Sequence, residues 1–421
     1  MEWDPRREKL SLSERDLKIM KDCGMTPAEI LRAVESRGRI VPLWSVLSFF
    51  MLYETSESPK AFWRTYRQGE TAARYRDCLY HDRKIPKRCG GVRTIAMPMW
   101  PLAQMQTCIA EKILQHIMPD DHACAYRRGM SVSDCAEPHR KKRIVIHLDI
   151  RDFFGTIRED MVFDALLRET GYSKKLVRFL SRLCCYQDRL PQGACTSPAL
   201  SNLVFKPCDE AIGGFAASLG MDYTRYSDDL YLSTSGEVDT GLVIETVRKI
   251  LADHGFRLHN EKTKIMGRQQ RQSVVGIVVN EKLRPSRTYV RTVLKDVYYV
   301  SRFGAGSNQV AAFGDYYSYL RQLQGRVNYV RCFMPEDRAV LEAVQTVRSL
   351  IGAYHRTLLD AVTALEAQCR DGYVVVFSEN YYRPLVKLKE QLAVVRRFLP
   401  RDYRFHDAEE RVYAMLGEEL Y

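Results

Sequence analysis

Residues 222–234 read Asp-Tyr-Thr-Arg-Tyr-Ser-Asp-Asp-Leu-Tyr-Leu-Ser-Thr. Two strand-forming runs, 222–226 and 230–234, flank a tight turn at Ser227-Asp228-Asp229, which predicts a hairpin. Two adjacent carboxylates there repel each other unless a cation lies between or beside them. A second acidic site stands upstream in His147-Leu-Asp-Ile-Arg-Asp-Phe-Phe154. Asp149 ends a buried apolar strand, 143–148, where an unpaired carboxylate is costly. Taken singly, Asp149 reads equally as a helix cap or an ion-pair member, and Asp228-Asp229 as a polar turn. If the two strands pair, the carboxylates meet. Such a cluster suits two hard divalent cations. Mg2+ fits, because it binds through one or two protein carboxylates plus phosphates and water. Two such ions activate an attacking hydroxyl and stabilise a leaving pyrophosphate.

The surrounding pattern is mixed. Residues 83–97 read as two short strands about Gly90-Gly91, and 101–118 as a helix. Helices are expected at 159–170, 173–186 and 239–254, the last stopped by Gly255. A turn at Leu190-Pro-Gln-Gly-Ala-Cys-Thr-Ser-Pro198 leads into a helix whose Ser197-Pro198 start is a cap followed by Pro. Strands are expected at 256–266 and 273–280. The first sixty residues read as helical, and so does most of the chain beyond 290, apart from a short strand at 373–377. Strands joined by a hairpin and interspersed with helices favour an α+β fold.

The composition limits the function classes. The 421 residues are 46% apolar and 28% charged, with a net charge of +12. That is a globular chain. No run approaches the roughly 18 apolar residues of a membrane span. The opening MEWDPRREKL does not read as a secretory signal, so no membrane and a cytoplasmic location are expected. The 12 cysteines include no C-x-x-C pair and read as small core residues. No Walker P-loop is present. The positive balance fits a polyanionic partner or simply a basic surface. Basic clusters occur at 139–143 and at Arg396, Arg397, Arg401 and Arg404.

With these motifs in order, the chain resembles a bacterial reverse transcriptase of the retron and group II intron branch, and is most like a retron enzyme. Pro86-Lys-Arg-Cys-Gly-Gly-Val-Arg-Thr-Ile95 resembles the fingertip motif, and Ala125-Tyr-Arg-Arg-Gly-Met-Ser131 the stretch after it. Leu148–Phe154, Leu190–Gly193 with Thr196–Pro198, and Tyr226-Ser-Asp-Asp229 match the palm motifs, followed by Asn260–Thr263 and Val275–Asn280.

The resemblance implies a right-hand polymerase with fingers, a palm with an antiparallel sheet, and a helical thumb. The expected divisions are a helical N-terminal extension 1–60, fingers and palm 61–285, thumb 286–350 and a C-terminal extension 351–421. It implies Asp149, Asp228 and the more peripheral Asp229 as catalytic carboxylates holding two Mg2+ ions, with the Ile150 carbonyl beside them. Nucleotide contacts are implied for Arg93, Lys87 or Arg88, the amides of Asp152 and Phe153, and Gln192. Phe154 falls at the aromatic gate that excludes a 2′-hydroxyl. Lys262 reads either as a general acid for pyrophosphate or as a solvated lysine. Arg321 and Arg326, among tyrosines, are candidates for RNA or duplex contact.

The retron-specific motifs are half matches: Cys135-Ala-Glu-Pro-His139, with Cys135 in place of Asn, and Val274-Val-Gly276, with Val275 in place of Thr. His139 is the candidate RNA reader in the first. Ser227 stands where the family usually has Ala. A retron enzyme implies a structured non-coding RNA as template and primer, dNTP substrates, a branched RNA–DNA hybrid product and an effector protein in phage defence. The alternatives are an intron-type or other defence-associated reverse transcriptase and a catalytically idle RNA-binding scaffold.

Overall fold

The computed structural model describes residues 72–74, 76–86, 91–100, 102–370 and 379–416. The expected N-terminal helices, Lys87, Arg88 and the strand at 373–377 lie outside the described residues. The chain divides into two units, one up to Leu283 and one from Arg284.

In the first unit, strands β1 (Tyr80–Pro86) and β2 (Val92–Pro98) pair antiparallel from Tyr80↔Pro98 to Pro86↔Val92. Helix α1 (Leu102–Lys112) follows, and a single turn at Leu114–His116 replaces the rest of the helix expected to 118. A short helix α2 (Val132–Ala136) begins in a capping box between Ser131 and Asp134. Strand β3 (Ile144–Asp149) then enters the core with Val145, Ile146 and Leu148 fully buried. One turn, α3 (Phe153–Thr156), and helices α4 (Glu159–Thr170) and α5 (Lys174–Cys184) come next. In α5, Leu176, Val177, Leu180, Leu183 and Cys184 make one buried stripe at helical spacing.

The long helix α6 (Ser197–Ser218) has Pro198 in its first turn and Pro207 inside. Pro207 has no N–H for the Leu203 carbonyl four residues back. Arg168 of α4 supplies the missing donor, its guanidinium reaching that carbonyl at 2.8 Å. Strands β4 (Asp222–Tyr226) and β5 (Asp229–Thr234) form the expected hairpin, and helix α7 (Thr240–Asp253) is capped by Asp239. Strand β6 is only Lys264–Gly267, and the rest of the strand expected at 256–266 is irregular, with a 3-10 turn at Asn260–Lys262. The strand expected at 273–280 is also corrected. It is a ribbon, β7 (Ser273–Val274) and β8 (Ile277–Val278), about a two-residue turn. Both turn residues, Val275 (φ 48°) and Gly276 (φ 81°), are left-handed, the geometry that matches strand twist in tight hairpins.

The main sheet has the order β4-β5-β3-β6, and its pairings are antiparallel. Helix α6 packs beside β4 through a fully buried polar knot. Arg225 of β4 and Asp209 of α6 both have zero exposure. The guanidinium donates to Asp209 at 2.8 and 2.6 Å, to the Asn202 side-chain oxygen at 3.1 Å and to the Ser227 carbonyl at 3.1 Å. Tyr223 donates to the same Asp209 at 2.8 Å, and Phe205 lies 4.6 Å from the guanidinium. Asn202, Phe205 and Asp209 share one face of α6 by their spacing of three and four.

The second unit is helical: α8 (Arg287–Phe303), α9 (Asn308–Phe313), α10 (Tyr316–Phe333), α11 (Arg338–Arg370), α12 (Glu379–Phe398) and α13 (Tyr403–Leu416). One apolar cluster joins them from Val293 to Val412. The division expected at 350/351 falls inside α11, so the helices on either side of it share a core. Among the described residues no helix is long and apolar enough to cross a membrane.

Breaking the knot by Asp209→Ala leaves an uncompensated buried guanidinium, and the expected loss is about 3–5 kcal/mol. The double variant Arg225→Met/Asp209→Leu removes both charges and is expected to regain most of that loss. Urea unfolding of the three proteins checks this. A double variant as unstable as the single one contradicts the charge argument.

Candidate active site

The sheet register brings the three acidic residues together. Asp149, at the last position of β3, is the direct partner of Asp229 at the first position of β5. Beyond the paired region the Ile150 amide donates to the Asp228 carbonyl at 2.8 Å, so the turn is fastened to β3 by backbone. Ser227 carries that turn in a left-handed conformation, φ 61°. On the other side of β3 the His259 amide donates to the Asp149 carbonyl at 2.8 Å. The 3-10 turn after it carries Lys262 to the Asp149 carboxylate, with Nζ at 2.9 and 3.1 Å from the two oxygens.

The electrostatics follow from this crowding. Asp149 is buried at 6% exposure. Burial pushes the Asp228 carboxyl above the usual range, with further upward pressure from Asp229 and Asp149. The bond to Asp149 raises the Lys262 ammonium, and Asp228 and Asp229 add to this. Asp229 has its own partner, His147, whose Nε2 lies 2.6 Å from the carboxylate. His147 also stacks on Tyr231 at 4.8 Å.

The fit to divalent cations rests on the donor set. Among the described residues no three His, Cys, Asp or Glu side chains form a ready-made metal site. Two carboxylates and phosphate oxygens are what Mg2+ uses, so a complete protein cage is not required. The Lys262 ammonium already occupies both oxygens of Asp149 as a cation. Asp228, raised by burial and then by its acidic neighbours, is the group whose ionised form a second cation would favour. The residues fit hard cations shared with a phosphate ligand.

The nucleotide candidates are arranged as follows. Asp152 is left-handed (φ 46°) and exposed at the start of α3, while the Phe153 side chain is core, leaving only its backbone available. Phe154 is half-buried, with Phe153 on one side at 5.5 Å and Tyr126 on another at 6.4 Å. Gln192 is half-buried in the loop before α6. The next residue, Gly193 (φ 139°), lies so close to β2 that a Cβ there would sit 2.6 Å from the Ala96 carbonyl oxygen. The loop of Gln192 therefore rests on the strand that carries the exposed Arg93.

One expected RNA contact is corrected. His139 has zero exposure and bridges Ser233 at 2.7 Å and Thr224 at 2.8 Å, so it cannot present its ring to RNA. Arg326 is half-buried, ion-paired with Asp296 at 2.8 Å, and Arg321 is half-buried over the Phe398 ring at 5.6 Å. Tyr317 and Tyr319 of the same helix are core. Helix α8 carries four exposed cations, Arg287, Arg291, Lys295 and Arg302, beside exposed Tyr298 and Phe303.

Two contributors were not singled out from sequence. His147 lies two residues before Asp149, so both point to one face of β3. That spacing was the available signal for a partner to an acidic residue on β5. Arg225, beside the turn, gave none, because its partner Asp209 is set by packing.

The family described as Reverse transcriptase (RNA-dependent DNA polymerase) matches residues 85–279. Retron Ec86 reverse transcriptase of Escherichia coli is 27% identical over 278 residues, covering 66% of this chain and 84% of that protein. Retron Mx65 reverse transcriptase of Myxococcus xanthus is 31% identical, covering 60% of this chain and 61% of the relative, so the chain spans under two thirds of that protein's length. Retron Ec83 reverse transcriptase of E. coli is 31% identical, covering 52% of this chain and 75% of the relative.

The His139 geometry has a pH signature. Burial holds its imidazole down to about 4, against an ordinary value near 6.5. A depressed folded value means the stabilisation is present above about 6.5 and is lost as pH falls toward 4. His139→Ala is expected to cost about 2–4 kcal/mol at pH 7, by leaving Ser233 and Thr224 unpartnered and opening a cavity. Its unfolding free energy should also depend less on pH between 6.5 and 4 than the wild-type value. Urea titrations at pH 7 and 5 measure both. Equal slopes contradict the assignment.

Proposed function

This chain belongs to the retron reverse transcriptases, RNA-directed DNA polymerases, and on that premise we propose that Asp149 and Asp228 hold two Mg2+ ions for nucleotidyl transfer. The observation that carries this reading is the register that sets Asp149 opposite Asp229 and fastens the Asp228 carbonyl to Ile150. The reverse transcriptase domain family generally uses divalent metal ions. When bound, such ions lower the pKa of the attacking hydroxyl and neutralise the leaving pyrophosphate.

The chain's own residues supply the rest. Asp149 and Asp228 present hard oxygens, with the Ile150 carbonyl as a further donor. Asp229 is drawn toward His147 and acts as the peripheral carboxylate. Lys262, held at Asp149, is placed on the pyrophosphate side of this reading, where a protonated ammonium donates to a departing oxygen. Arg93 takes the β- and γ-phosphates, the backbone amides of Asp152 and Phe153 face the triphosphate, and Gln192 contacts the nucleotide. Phe154 bars a 2′-hydroxyl. In this reading the first unit contains fingers and palm and the second begins with the thumb.

The partner is RNA, and the product is an RNA–DNA hybrid. By its likeness to the retron enzymes, we assign this chain a dedicated structured RNA as template and primer, a branched product, and a phage-defence role with an effector protein.

Asp228→Asn removes a ligand oxygen without changing the packing volume. RNA-primed extension with Mg2+ is expected to fall by at least about 100-fold, the scale on which loss of one transition-state electrostatic contact is felt. RNA retention should persist. Extension at the wild-type rate contradicts the metal assignment.

Duplex binding is assigned to the exposed face of α8 in place of Arg321 and Arg326. Arg287, Arg291 and Lys295 recur every four residues on one face. Arg291→Ala/Lys295→Ala is expected to weaken duplex binding whatever its sequence and to reduce the salt slope by about one unit per lost phosphate contact. Titrations at several salt concentrations measure it. An unchanged slope returns this face to an ordinary solvated surface.

A further inference from the structure

The sugar gate has a support that the motifs do not assign. Residues 123–125 are tied down on two sides, by Arg225 and by Asn202. The Cys124 amide donates to the Arg225 carbonyl at 2.8 Å, and Ala123 bridges the same residue in parallel. The Asn202 side chain donates to the Ala125 carbonyl at 2.8 Å. The chain then passes through Tyr126 in a left-handed conformation, φ 60°, which non-glycine residues adopt only where their surroundings hold them.

Tyr126 is 48% exposed, yet both ends of its side chain are engaged. Its hydroxyl is 3.0 Å from the Ser227 hydroxyl, in the turn that carries Asp228. Its ring meets Phe154 edge-on, with centroids 6.4 Å apart and planes at 61°. The other ring against Phe154, Phe153, is packed in the core against Phe205 and Phe256. Phe154, partly packed on the core, thus meets one buried ring and one exposed ring, and the hydroxyl of the exposed ring pairs with Ser227.

We propose that Tyr126 is a positioning residue for sugar selection, a strut that runs from the Ser227 hydroxyl to the gate ring of Phe154. A gate discriminates only as far as it resists displacement. A 2′-hydroxyl that pushes Phe154 toward Tyr126 meets a ring fixed at its far end. Without the hydroxyl pair the exposed ring swings freely and the gate yields. The proposal rests on the reading of Phe154 as the gate and adds to it the residue that stiffens it.

The experiment uses the full chain on a primed RNA template and compares kcat/KM for CTP with that for dCTP. The proteins are wild type, Tyr126→Phe, Ser227→Ala, their double variant and Phe154→Ala. Tyr126→Phe keeps the ring and loses the hydroxyl, and the CTP/dCTP ratio is expected to rise about three- to tenfold, the range set by one net hydrogen bond. Ser227→Ala should raise it equally. The double variant should exceed neither, because both remove the same bond. A loss of packing alone would slow both nucleotides together and leave the ratio fixed. An unchanged ratio in Tyr126→Phe, with a raised ratio in Phe154→Ala, overturns the strut and leaves the gate. An unchanged ratio in Phe154→Ala overturns the gate and the strut with it. Multiplicative effects in the double variant overturn the shared bond. If Tyr126→Phe does not fold, Ser227→Ala carries the same test from the other end.

Discussion

The Arg225–Asp209 pair is the interaction on which the site depends. A guanidinium and a carboxylate at zero exposure are costly to desolvate, and only full hydrogen bonding offsets that. Here each donor of Arg225 has a structural task. Three contacts hold α6, two through Asp209 and one through Asn202, and one holds the Ser227 carbonyl in the acidic turn. Asn202 in turn holds the Ala125 carbonyl. A strand, a helix, a turn and a loop are therefore set by one side chain. An apolar substitute would fill the space but would specify none of these positions.

That rigidity answers an electrostatic problem. Asp149, Asp228 and Asp229 are brought together, and burial, with Asp229 and Asp149 adding to it, raises the Asp228 carboxyl. The chain distributes the charge unevenly. Asp149 receives the Lys262 ammonium, and Asp229 is bonded to His147. Asp228 alone is left with mainly acidic neighbours. The three carboxylates are adjacent in space but differ in what each has to offer a cation.

Much of this was legible in the sequence because it is local. The hairpin at Ser227-Asp228-Asp229, the buried run ending at Asp149 and the capped helix at Ser197-Pro198 each depend on neighbours in the chain. What was not legible depends on partners chosen by the fold. His139 sits in a basic stretch that reads as a surface, yet the turn after α2 places it between β4 and β5, where two hydroxyls satisfy it. Arg326 reads as a free cation until Asp296, thirty residues away, is brought against it. The strand expected at 256–266 is cut short by the 3-10 turn at Asn260–Lys262, and the one expected at 273–280 is broken because a β-branched residue such as Val275 can occupy a left-handed turn when a neighbour holds it. Here the Val275 amide donates to the Tyr231 hydroxyl at 3.1 Å.

The contact at Gly193 has a mechanical consequence. The loop of Gln192 makes its tightest approach to β2 main chain to main chain, since a Cβ at Gly193 would overlap the Ala96 carbonyl oxygen, with the Ile95 side chain close beside it. Side chains can change rotamer to absorb a shift, whereas backbone pressed on backbone has no such slack. The hairpin that bears Arg93 and the loop that bears Gln192 are therefore geared to each other. Movement of the hairpin toward the loop by the width of a methyl group has to carry the loop with it. On the proposed reading of Arg93 and Gln192, the contacts to a triphosphate's outer phosphates and to its nucleoside then shift together.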